Sequence, residues 1–117
     1  VLHYQVPIHI SLFNQSVFFI RPSYSKKASS PTKQGEIMAM GIPLVCNDGV
    51  GDTAQIVRTY EAGFVVEGFT PENYEQALPH IISFEKETAQ SGAKYFYSLD
   101  EGAKRYENVY KKLVTSF

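Results

Sequence analysis

Ser29-Ser30-Pro31-Thr32-Lys33-Gln34-Gly35-Glu36-Ile37-Met38-Ala39-Met40-Gly41-Ile42-Pro43-Leu44-Val45-Cys46 decides how this chain folds. Ser30 suits a helix N-cap, with Pro31 at the first helical position, where its missing N–H costs nothing. Gly41 suits the left-handed residue that ends a helix. Leu44-Val45-Cys46 follows at once as an apolar run of strand length.

Outward from this helix-to-strand unit the same grammar repeats. Ser16-Val17-Phe18-Phe19-Ile20 and Phe64-Val65-Val66 are further continuous apolar runs. Continuous rather than alternating hydrophobicity predicts strands covered on both faces, as in parallel sheets. Asp52 and Gln55 form a capping-box pattern before Ile56, Val57 and Tyr60, with Gly63 after the helix end. Thr70 and Pro71 open another helix, with Tyr74, Ala77, Leu78, Ile81 and Ile82 on one face. Pro79 lies inside that pattern and predicts a kink or an early stop. Val1-Leu2-His3-Tyr4-Gln5-Val6 reads as a strand remnant ahead of Pro7. The alternation of strands and helices predicts an α/β fold: a partial Rossmann-like, doubly wound parallel sheet of three to four strands with flanking helices. The whole of residues 1–117 is expected to form one such unit.

A last helix is expected over about residues 99–115. Ser98 and Glu101 supply a capping box, and Leu99, Ala103, Tyr106, Tyr110, Leu113 and Phe117 recur at spacings of four and three. A tyrosine-bearing stripe of this kind serves core or interdomain packing more often than sugar stacking.

The net charge of −1 gives no general attraction to nucleic acid or anionic membrane. Its distribution is uneven. Residues 1–35 hold four basic side chains, Arg21, Lys26, Lys27 and Lys33, and no acidic one. A single cysteine, Cys46, rules out an internal disulfide or a cysteine metal cluster and falls in an apolar run, as a buried strand residue would. With no signal-like or spanning segment in the sequence, a reducing, cytosolic setting is expected.

Ligands of doubly wound sheets bind beyond the carboxyl ends of the strands. Three segments are placed there: 21–30, 47–52 and 67–70. Where the first enters its helix, the free amides of Thr32 and Lys33 face outward with the positive end of the helix dipole. The Ser30 and Thr32 hydroxyls add hydrogen bonds, and Lys33 adds a mobile charge suited to phosphate. Glu36 shares that helix face and can accept hydrogen bonds from the vicinal hydroxyls of a ribose. Together they suit a nucleoside diphosphate. A surface Lys33–Glu36 pair accounts for the same residues more simply. Arg21, at a strand end, is a lesser phosphate candidate. Asn47-Asp48-Gly49-Val50-Gly51-Asp52 carries glycines that permit close approach of a ligand, but it is neither GxGxxG nor a P-loop, and a structural turn explains it. His3, His9 and His80 show no metal-ligand spacing.

The run Phe18-Phe19-Ile20-Arg21-Pro22-Ser23, then Lys26-Lys27-Ala28-Ser29-Ser30-Pro31-Thr32-Lys33, then Glu36 to Val45 resembles the donor-binding C-terminal domain of family 4 (group 1) retaining glycosyltransferases, the C-terminal half of a GT-B fold. Gly49-Val50-Gly51-Asp52 and the Ser98 to Tyr110 tail fit the same pattern. The resemblance implies transfer of a sugar from a nucleotide-sugar donor, a UDP- or GDP-sugar, to a glycan or lipid-linked acceptor, with retention and without a metal or other cofactor. Glu36 matches the second glutamate of the family's paired motif, which holds the donor ribose, and Thr32 and Lys33 match the turn that contacts the diphosphate. The first glutamate of the pair falls at position 28, where this chain has Ala28. The resemblance also implies an N-terminal acceptor domain as partner, activity at the cytosol or inner membrane face, and a fragment that is inactive alone. The strand at 16–20 would be the fourth of a doubly wound order, so its outer edge is expected to be open to self-association or to pairing with Val1–Val6. A sugar-nucleotide epimerase of the same fold and a non-catalytic Rossmann-like packing domain remain alternatives.

Overall fold

A computed structural model describes residues 1–116. Three parallel strands form its centre: β1 (Ser16–Phe18), β2 (Leu44–Asn47) and β3 (Gly63–Val66), in spatial order β1-β2-β3. The register sets Val17 beside Val45 and Cys46 beside Val65. Seven helices surround them: α1 (Val6–Ile10), α2 (Thr32–Ala39), α3 (Thr53–Thr59), α4 (Pro71–Glu75), α5 (Ala77–Ile82), α6 (Lys86–Tyr97) and α7 (Leu99–Thr115). The α/β architecture is that of a partial Rossmann-like fold.

The central strand bears out the argument from continuous hydrophobicity. Every residue of β2 is buried. Leu44, Cys46 and Val65 face a core built with Ile37, Met38, Ile56, Val57, Ala89 and Ala93. Val45 and Val66 face a smaller cluster with Ala77, Phe64 and Ile81. Each large aliphatic side chain so buried contributes about 1.5–3 kcal/mol. Coverage is uneven: Val17 in β1 is half exposed, as is Phe19 beyond it, which meets Phe69 edge-on and Tyr74 at a tilt. The edge of β1 away from β2 pairs with no strand among the described residues, as expected.

Several expectations are corrected. Val1–Val6 does not pair with that edge: it forms a 3-10 turn at His3–Gln5 and then enters α1. Pro7 in the first turn favours a helix there, and Val6 and Ile10 pack on the core. The strand expected at 16–20 ends at Phe18. The start of α3 has Asp52 at its N-cap without a side-chain hydrogen bond, so the capping box does not form. Its end is closed by Glu61 at φ 47°, and Gly63 instead opens β3 at φ 151°, where a Cβ would overlap the Leu44 carbonyl. Pro79 has the effect expected: the 71–82 helix is broken into α4 and α5, because proline offers no N–H to the Glu75 carbonyl and its ring crowds it. On α5 only Ala77 is buried and Ile81 partly so, while Leu78 and Ile82 face outward.

The helix α6 has no counterpart in the periodicity argument. Its inner face is Ala89, Gly92 and Ala93, all buried, packed against α2. Two aromatic rings seat in the space that glycine leaves. The Tyr60 ring lies over Gly92, and the Tyr97 ring lies over Gly35, whose Cβ would stand 2.7 Å from Tyr97 Cγ. The last helix, α7, is capped by Ser98, whose hydroxyl accepts from the Glu101 amide at 3.3 Å. Its stripe contributes nothing to the core of this chain, since no described residue of α7 is buried. Phe117 lies outside the described residues.

Candidate functional site

The carboxyl edge of the sheet is organised by Asn47, the last residue of β2 and almost fully buried. Its Oδ1 accepts from the Ile20 amide at 2.7 Å, and its Nδ2 donates to the Ile20 carbonyl at 2.7 Å and to the Asp48 carbonyl at 2.8 Å. One side chain thus replaces the ladder that β1 abandons after Phe18 and fixes where the 21–30 loop departs. Sequence reasoning passed over it, because an asparagine after a strand ordinarily reads as a turn residue.

The two loops leaving this edge interlock. The Gly51 amide donates to the Lys26 carbonyl at 3.0 Å. Gly51, at φ 47°, has its Cβ position filled by the Ser29 carbonyl, and Gly49, at φ 86°, lies against Pro22. These glycines serve loop packing, in keeping with a structural turn. Asp48 is tied into the turn as well: the Gly49 amide at 2.7 Å and then Arg58 at 3.1 Å hold its carboxyl below the usual range. The held loop carries a 3-10 turn, Ser25–Ala28, with Lys26 and Lys27 exposed, and delivers extended Ser29 into Pro31.

Here the expected cap is corrected. Pro31, not Ser30, is the N-cap of α2, and no side chain caps the helix. Pro31 is itself extended, at φ −68° and ψ 115°, which moves the helix start one residue on. The Ser30 hydroxyl is therefore not spent on capping, and the first-turn amides of Thr32 and Lys33 lack a side-chain acceptor. One turn later, Glu36 Oε2 lies 3.0 Å from Lys33 Nζ. That oxygen is shielded from solvent but accepts no well-directed hydrogen bond. Lys33 is two-thirds exposed, and such a pair is worth about 0.3–0.5 kcal/mol, small beside the attraction of an incoming diphosphate.

The opposite wall comes from α6. Ser30, Thr32 and Glu36 on one side and Gln90, Lys94 and Tyr97 on the other line a groove of about 700 Å³. That lies within the range of small-molecule sites. The Tyr97 hydroxyl is buried beside Ser30 without a hydrogen bond of good geometry. Burial pushes its pKa up to about 12, with the Asp52 carboxylate adding to the rise. Behind the groove, fully buried Gln34 donates from Nε2 to the Thr53 carbonyl at 3.2 Å and joins the starts of α2 and α3. Among the described residues lining the groove, Glu36 is the one carboxylate and Lys94 the one cation.

Three of the five residues singled out from sequence, Ser30, Thr32 and Glu36, thus share one groove. Lys33 adjoins it through Glu36. Arg21 does not line it: exposed on the loop after β1, it forms no ion pair among the described residues. Gln90, Lys94 and Tyr97 were not found from sequence. The one available signal was the small-residue spacing of Ala89, Gly92 and Ala93 ahead of the Ser98 cap.

The arrangement can hold an anion at a helix start and hydroxyls at a carboxylate one turn along. Among the described residues no helix is long and apolar enough to cross a membrane. No curated protein and no solved structure matches the chain. The family model for group 1 glycosyl transferases matches residues 4–96, a span that contains all three strands and every groove residue up to Phe96. With that match over most of its length, the chain belongs to the group 1 glycosyl transferases.

Proposed function

We propose that the groove between α2 and α6 binds the nucleotide of a sugar donor, and that the protein transfers a hexosyl or N-acetylhexosaminyl group from a UDP- or GDP-sugar to a glycan or lipid-linked acceptor with retention. The observation that carries this reading is the convergence of Ser30, Thr32 and Glu36 on one nucleotide-sized groove in a chain of this family. In it, the amides of Thr32 and Lys33 and the Ser30 and Thr32 hydroxyls take the diphosphate. Lys33 turns from Glu36 to phosphate, and the freed carboxylate accepts from the ribose hydroxyls. Arg21, Lys26 and Lys27 contribute long-range attraction rather than contact, since all three are exposed on the neighbouring loop. The diphosphate is neutralised by these groups without a metal, and the donor is the only small molecule required. The reaction takes place in the cytosol or at the inner membrane face.

Titration calorimetry with UDP and GDP tests the reading. Glu36→Ala should weaken the preferred nucleotide at least about tenfold, the loss of one to two hydrogen bonds to a charged acceptor. The 2′-deoxy nucleotide should show a similar loss with the unaltered protein and little further loss with Glu36→Ala. Equal affinity of Glu36→Ala and the parent removes Glu36 from the site. Absence of binding by either nucleotide favours a non-catalytic packing role, for which the alanine at position 28 is the specific observation.

A further inference from the structure

Among the described residues, four buried side-chain polar atoms lack a hydrogen-bond partner: Gln34 Oε1, Glu36 Oε2, Thr53 Oγ1 and the Tyr97 hydroxyl. All four lie on α2 or against it. Gln34 and Glu36 belong to the helix, the Thr53 carbonyl accepts from Gln34, and the Tyr97 ring lies over Gly35. Buried polar groups are ordinarily paired, so unpaired ones gathered round one helix call for a cause.

Of the four, the Tyr97 hydroxyl has an identifiable partner beside it. Its ring is fixed by packing. It seats over Gly35, where a Cβ would stand 2.7 Å from Tyr97 Cγ, and meets Phe96 at 66° with centroids 5.1 Å apart. Glycine weakens a helix interior, and the ring accounts for its presence in α2. The ring carries the hydroxyl beneath Ser30, which is exposed at the groove. Because Pro31 is the N-cap of α2, the Ser30 hydroxyl is left for other work. Burial pushes the Tyr97 pKa up to about 12, so the phenol keeps its proton and can donate. A serine oxygen that accepts from one side still has its own O–H to give on another.

We infer that Tyr97 is a positioning residue of the donor site: its hydroxyl donates to Ser30 Oγ when the nucleotide binds, and so directs the Ser30 O–H onto the diphosphate. The inference rests on the nucleotide reading of the groove and adds to it a residue from the α6 wall. In the free protein the two hydroxyls are out of alignment, and the unpaired Tyr97 oxygen opposes folding. The diphosphate draws Ser30 into line, and the lost pairing is recovered as affinity. Tyr97 acts through Ser30 rather than on the donor, since its oxygen is shielded from the groove.

Tyr97→Phe keeps the ring over Gly35 and removes only the oxygen, so it should have two effects of opposite sign. Urea unfolding of the nucleotide-free 117-residue chain and calorimetry with UDP and GDP measure them. Without nucleotide, Tyr97→Phe should be at least as stable as the parent, because the hydroxyl it removes has no partner there. With whichever nucleotide the parent binds, the same variant should bind about three- to tenfold less tightly, the worth of one hydrogen bond. Ser30→Ala should lose at least about tenfold, since its bond is to a charged phosphate. The double variant should bind within about twofold of Ser30→Ala alone, because Tyr97 acts only through Ser30. Losses that multiply in the double variant overturn the inference, and so does a lowered urea midpoint for nucleotide-free Tyr97→Phe. Unchanged affinity of Tyr97→Phe, where Glu36→Ala weakens binding, removes Tyr97 and leaves the nucleotide site standing. A parent that binds neither UDP nor GDP overturns both readings together.

Discussion

Asn47 is the residue whose loss should reveal most about how this sheet edge is held. Asn47→Ala deletes three hydrogen bonds, two of them to the amide and carbonyl of Ile20 at 2.7 Å. A typical intramolecular hydrogen bond is worth about 1 kcal/mol net, and a buried group left without a partner costs about 1–3 kcal/mol. The Ile20 groups are partly buried, so water replaces some of the loss, and the expected cost is about 2–4 kcal/mol. For a domain whose whole stability is of order 5–15 kcal/mol, that is a large fraction. Urea unfolding followed by circular dichroism measures it as a lowered midpoint with an unchanged slope. Asn47→Asp sharpens the test. It keeps an acceptor for the Ile20 amide but turns a carboxylate toward the Ile20 carbonyl. Burial and that carbonyl raise the folded-state pKa of the new carboxyl above its unfolded value, so its protonated form is favoured by folding. The variant should therefore regain stability as pH falls through the raised pKa and lose it again as pH rises, relative to Asn47→Ala. A loss below about 1 kcal/mol for Asn47→Ala, or an Asn47→Asp variant with no such pH dependence, would refute the clamp.

Two other outcomes follow from the core. Burial pushes the Cys46 thiol from 9.0 up to about 12, so at pH 8 its reaction with a disulfide reagent should be at least about 1000-fold slower in the folded protein than in urea; comparable rates would show that the strand is open to solvent. Gly63→Ala introduces a Cβ at φ 151° against the Leu44 carbonyl, and should cost about 3 kcal/mol or more by urea unfolding; a loss under about 1 kcal/mol would mean that β2 and β3 separate easily there.

How much of this was visible beforehand depended on what kind of force shapes each element. Where burial of large aliphatic groups decides the structure, the linear pattern sufficed: β2 is buried on both faces, and the placing of β3 followed from the same run. Where a single covalent constraint decides, it also sufficed, as with Pro79 between α4 and α5 and with Gly41 at φ 66°. The pattern failed where shape replaces hydrophobicity. The buried face of α6 is made of Ala89, Gly92 and Ala93, whose removal from water contributes little each but which admit the Tyr60 and Tyr97 rings. It failed again at Val1–Val6, where strand-favouring residues are overruled by contacts of Val6 and Ile10 far along the chain. The half of the groove on α2 was therefore legible and the half on α6 was not. Asn47 was missed for a related reason, since its role rests on a partner 27 residues away.

Ser98 separates α6 from α7 by one residue of extended backbone, φ −65° and ψ 147°. The same residue, with Tyr97 before it, lines the groove that holds Glu36. Mechanically, α7 is a lever of about 25 Å whose fulcrum is built into the wall of the binding groove. A load on its far end would bear on the Tyr97–Gly35 contact, one residue from Glu36. If such a load shifts Tyr97 against Gly35, reciprocity of linked equilibria requires that a ligand shifting Tyr97 re-aim the helix with the same coupling free energy.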